Sequence, residues 1–72
     1  MTTTQTYALV MLSLGLITTN TQYYTAQLKT IYTANQAAVD AIYNDPYQRD
    51  LTIQAYLPML SQVIIMDPNV NW

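Results

Sequence analysis

The chain has 72 residues, a formal net charge of −2 from two basic and four acidic side chains, and no Cys or His. One small domain is the most it can form. With no disulfide and no thiolate or imidazole metal site to reinforce that domain, oligomerisation is the remaining way to stabilise it.

Residues 1–6 (MTTTQT) are Thr-rich and uncharged. β-Branched residues favour extended backbone, so this stretch is expected to be an arm lying on a neighbouring subunit. Residues 7–17 (YALVMLSLGLI) form the most apolar run. Their Leu, Met and Ala content favours a helix over residues 7–18, with Gly15 a point where the chain could kink or another backbone approach closely. The run has the look of a signal-peptide core, but no Lys or Arg precedes it and the Thr and Asn after it suit cleavage poorly. The Met at position 1 is also read against a removed export signal. A membrane span needs about 20 apolar residues, so a buried interface helix is the leading expectation. Contact with a bilayer through residues 7–25, up to Thr25, is the lesser one.

Thr19 and Gln22 fit a capping box that would start a second helix; the alternative is that the first helix runs straight through. From there Tyr24, Leu28, Ile31, Ala38 and Ile42 recur at helical spacing, with Asn35 on the same stripe and Tyr32, Val39 and Tyr43 broadening it. The pattern predicts one helix over residues 20–43, on the order of 36 Å long, with an apolar face wide enough to require a partner. Asn35 either fixes the register of a helix pair or sits solvated at its edge.

Asn44, Asp45 and Pro46 end that helix. Asp45 can cap the next one, Pro46 suits its first position, Gln48 completes a capping box, and Arg49 lies one turn from Asp45. Ile53, Tyr56, Leu57, Leu60, Val63 and Ile64 continue a helical stripe across Pro58, which predicts a single kinked helix over residues 46–66 with the carbonyl of Gln54 freed. Residues 67–72 are expected to be an extended tail anchored by Trp72. The fold class expected is all-α: a helical hairpin with an additional N-terminal apolar helix and extended terminal arms.

The chemistry available is sparse. Ser13 and Ser61 have no His or Glu to activate them, and Lys29 is the sole amine base. Asp40, Asp45, Asp50 and Asp67 lack the dense spacing of a calcium loop. Gly15 is the one glycine, which leaves no phosphate-binding loop. Two cations are too few for nucleic-acid phosphates, and Tyr at helical spacing is read as core or interface. These points predict no enzyme, no cofactor, no metal and no nucleic-acid partner.

Two helices about a Pro-containing turn are similar in outline to needle subunits of secretion systems, and the size resembles small pilins and phage coat or decoration proteins. The likeness stops at outline. Needle subunits are more charged, and filamentous phage coats carry a basic C-terminal segment where this chain reads Asn-Val-Asn-Trp. The low charge and seven Tyr predict a structural subunit that packs against copies of itself or other structural proteins. A minor capsid, decoration or tail component of a phage-like virion leads; a secreted filament or needle, or a small membrane-associated subunit, is the alternative. The expected interface anchors are Tyr24, Leu28, Ile31, Ile42, Leu57, Leu60, Ile64 and Trp72. Each would contribute about 1.5–3 kcal/mol on burial, so Trp72→Ala or Leu28→Asp is expected to block assembly.

Overall fold

The computed structural model describes residues Met1–Trp72. Four α-helices, a 3-10 segment and two very short strands follow in the order α1 (Thr3–Ser13), β1 (Gln22–Tyr23), α2 (Thr25–Ala34), α3 (Gln36–Tyr43), α4 (Pro46–Tyr56), the 3-10 segment Leu57–Gln62 and β2 (Ile64–Ile65). The chain is predominantly helical, with a radius of gyration of 10.9 Å, close to the roughly 11 Å of a compact domain of this length.

α1 begins earlier than expected, so residues 1–6 are not an extended arm. The N–H of Gln5 donates to Thr2 Oγ1 at 3.1 Å and the N–H of Thr2 donates to Gln5 Oε1 at 2.8 Å. This reciprocal cap satisfies two free donors of the first turn and outweighs the β-branched preference of the Thr run. The helix stops at Ser13 instead of reaching residue 18. Gly15 adopts φ 73°, its N–H donates to the Leu12 carbonyl at 3.0 Å, and that of Leu16 reaches the Met11 carbonyl at 2.9 Å. Those two bonds form a Schellman C-cap, which needs a left-handed residue. Gly15 therefore terminates the helix and does not kink it. Nothing lies within 4 Å of where its Cβ would be, so backbone conformation alone explains the glycine.

The capping box expected at Thr19 and Gln22 does not form. Asn20 turns the chain with φ 60°, and residues 22 and 23 pair in parallel with Ile64 and Ile65. Bonds from the Asn20 N–H to the Gln62 carbonyl and from the Met66 N–H to the Tyr23 carbonyl, both 2.8 Å, extend the pairing. The helix expected over residues 20–43 is two helices. At Asn35 (φ −127°, ψ 26°) the side-chain amide donates to the Ile31 carbonyl at 2.9 Å, taking the place of the backbone donor of a continuous helix. Asn35, half-buried, marks the break between the two helices, with its amide engaged within its own chain.

α4 starts at the expected residues. The Asp45 carboxylate accepts from the N–H groups of Tyr47 (3.0 Å) and Gln48 (3.3 Å), with Pro46 in the first helical position. The Gln48 amide, however, donates to the Asp45 carboxylate at 3.0 Å, where a capping box would have its oxygen accept from the cap N–H. Arg49 does not pair with Asp45: it lies 3.9 Å from Asp50 and donates to the Tyr43 carbonyl. Pro58, with no N–H and a ring that crowds the preceding turn, converts the expected kink into the 3-10 segment. The chain beyond it is extended, so the helix does not reach residue 66.

α1 is the middle of the molecule. Thr4, Ala8, Leu9, Val10 and Met11 on it are buried, and Ile17, Leu28, Val39 and Val63 close the core around it. A helix apolar all round is stable only when enclosed, and here the enclosing elements are this chain's own. No helix is long and apolar enough to cross a membrane; residues 7–25 comprise most of α1, a turn, β1 and the start of α2.

Candidate functional site

Apart from Trp72, the expected anchors fall into three groups. Leu28 is fully buried in the core, so Leu28→Asp would unfold the chain before it disturbed any interface. Ile31 and Ile42 are half-buried against the same core, and Leu60 is also half-buried. Tyr24, Leu57 and Ile64 are exposed.

Those three are joined by exposed residues that the stripe reading missed. Tyr47 is 72% and Leu51 48% exposed, and Met59, Met66 and Val70 also face outward. α4 contributes no buried residue: its inward positions Ile53 and Tyr56 are only half covered, while Tyr47, Leu51 and Ala55, four apart, are open. The same spacing was legible in the sequence. The stronger stripe through Ile53, Tyr56, Leu57 and Leu60 masks it.

Trp72 belongs to an aromatic cluster that joins the far end of the chain to the helices. The Tyr7 and Tyr43 rings stack at 3.9 Å and 4°; Tyr7 meets Tyr32 at 4.8 Å and Trp72 at 4.9 Å; Tyr32 and Trp72 lie 5.5 Å apart. The Arg49 guanidinium sits 5.7 Å over the Tyr43 ring, a favourable approach of a cation to a π face. Tyr32 donates its hydroxyl proton to Asp40 at 2.8 Å. That bond, followed by burial, raises the Tyr32 phenol far above its ordinary 10.0, and burial raises Tyr7. Tyr23 shifts the other way, because Thr18 donates to its oxygen.

The two buried polar side chains, Thr4 and Thr25, both clamp residues near the C-terminal end. Asp67 caps α2 from 42 residues away: Thr25 donates its N–H to Oδ1 and its hydroxyl to Oδ2, each at 2.9 Å. A carboxylate there meets free N–H groups and the positive end of the helix dipole. At α1 the contacts are longer. Thr4 donates its N–H to Asn71 Oδ1 at 3.4 Å, its hydroxyl lies 3.5 Å from that atom and from the Val70 carbonyl, and it accepts from the Trp72 N–H at 3.2 Å. The tail expected over residues 67–72 therefore folds back on its own body.

A shallow depression of about 550 Å³ lies over α2, lined by Ala26, Lys29, Thr30, Thr33 and Ala34. The Thr30 and Thr33 hydroxyls donate to the helix's own carbonyls of Ala26 and Lys29, which leaves Lys29 as the free donor there. No three acidic side chains come together as a metal site. Compared with protein-family models, curated proteins and solved structures, the chain matches none.

Proposed function

We propose that the chain is a structural subunit of a large assembly, working by packing against copies of itself or other structural proteins and not by catalysis. The setting we favour is a minor capsid, decoration or tail component of a phage-like particle. One observation carries the reading: Leu51, Leu57, Met59, Ile64 and Met66 face solvent on α4 and the segment after it, in a chain with six ionisable Asp, Lys and Arg side chains in all. Large outward apolar side chains on a weakly charged surface favour association.

Light scattering and electron microscopy of the purified chain test this. Defined oligomers or shells are expected, and Leu57→Asp should dissolve them while leaving the helical circular dichroism unchanged. Open filaments would move the protein to the secreted filament or needle class. A monodisperse monomer at every concentration, alone and with the other proteins of its particle, would overturn the proposal.

A further inference from the structure

We infer that residues 68–72 are an exchangeable strap, seated on their own body in the single chain and on the body of a second copy in the assembly. This rests on the assembly reading above.

The boundary of the strap is set by the strength of its two attachments. Asp67 is fixed on Thr25 by two bonds of 2.9 Å, whereas everything after it is held by contacts of 3.2–3.5 Å to Thr4 and by the Trp72 ring against Tyr7 and Tyr32. Val70 and Asn71 are exposed, and Pro68 cannot donate a backbone bond to either side. The chain between the firm clamp and the aromatic seat is thus free of other ties, save a turn bond from the Val70 N–H to the Asp67 carbonyl.

The seat is formed without the strap: Tyr7, Tyr32 and Tyr43 are held by α1, α2 and α3, and Thr4 lies in the first turns of α1. Its occupant is specified by what fills it in the single chain, an indole on the Tyr7 and Tyr32 rings and an Asn amide oxygen on the Thr4 N–H. A strap from another copy offers the same groups, so exchange conserves every contact, and crowding within an assembly offsets the association entropy. Five residues reach about 17 Å when extended, less than the 20 Å shortest dimension of the body. Only a copy in direct contact can receive the strap, so exchange would lock neighbours that already touch.

The chain has no cysteine, which allows a direct test in full-length protein. Thr4→Cys and Asn71→Cys place thiols at side chains that touch. The double variant, oxidised at high dilution, should close within one chain, which checks that the seat survives substitution. The two single variants, mixed and allowed to assemble before oxidation, should give a Thr4→Cys/Asn71→Cys heterodimer roughly tenfold or more above either homodimer, because exchange holds that pair side by side. Assembly with no heterodimer above the homodimer level would overturn the strap and leave the assembly reading standing. Absence of assembly at any concentration would overturn both.

Discussion

α1 and α4 are each 11 residues long, and they occupy opposite extremes of this molecule. α1 is enclosed by every other helix, with a buried run from Ala8 to Met11; α4 covers one side of it and buries no residue fully. A chain of this size has interior enough for one helix, and the wall formed by α4 and the segment after it also turns large apolar side chains outward. α1 therefore carries the cohesion of the fold, and α4 with the segment after it carries the surface available to neighbours.

The hardest blow to that division is Leu28→Ala. It opens a cavity beside α1 and is expected to cost about 3 kcal/mol, a large share of the roughly 4–11 kcal/mol of a domain this long. A lower urea midpoint would register it; an unchanged one would mean that the core is not organised around α1. Trp72→Ala comes next, at about 2 kcal/mol for a half-buried ring, read as a lower melting temperature of the isolated chain. Little change there would detach the aromatic cluster from the core.

Alkali sharpens the same point. Tyr7 and Tyr32 are raised above 10.0 by the fold, so their contribution to stability is complete below pH 10 and is lost as the pH climbs through the raised values. Tyr32→Phe should flatten that loss in a melting series carried from neutral pH to about pH 12. Gly15→Ala, which forces an L side chain into a left-handed turn, is expected to cost about 1 kcal/mol, and Gly15→Asn should recover part of it in the same denaturant titration. Smallest for the fold is Leu57→Asp, within about 0.5 kcal/mol, although it should abolish assembly. If it unfolded the chain as Leu28→Ala does, α4 and its extension would have to be counted as core.

What the sequence made legible were features with local causes. The start of α4 follows from Asp45 and Pro46 because a cap needs nothing beyond its own turn. The cap of α1 was equally local, a Thr at position 2 and a Gln at position 5, but the β-branched run between them suggests the opposite backbone. The break at Asn35 was hidden by periodicity, since α2 and α3 keep the stripe in phase across it, and the amide's bond to Ile31 leaves no mark in that spacing. The pairing of Gln22 with Ile64 and the hold of Asp67 on Thr25 had no local sign. Two-residue strands are too short to show alternation, and a cap supplied from 42 positions away leaves no spacing to detect. The exposed face of α4 was partly legible through Tyr47, Leu51 and Ala55, but which of two apolar stripes faces out depends on where α1 lies.

The clamp between Asp67 and Thr25 also orders events in time. Closing a loop of that length costs about 3 kcal/mol in chain entropy before the contact returns anything, whereas each helix can begin from its own cap. The helices should therefore condense first and the parallel pairing of residues 22–23 with 64–65 last. In native-state amide exchange, Met66, whose N–H bonds to Tyr23, should accordingly open before the amides of α1. Such openings would free the end of the chain repeatedly while the helical body stays folded.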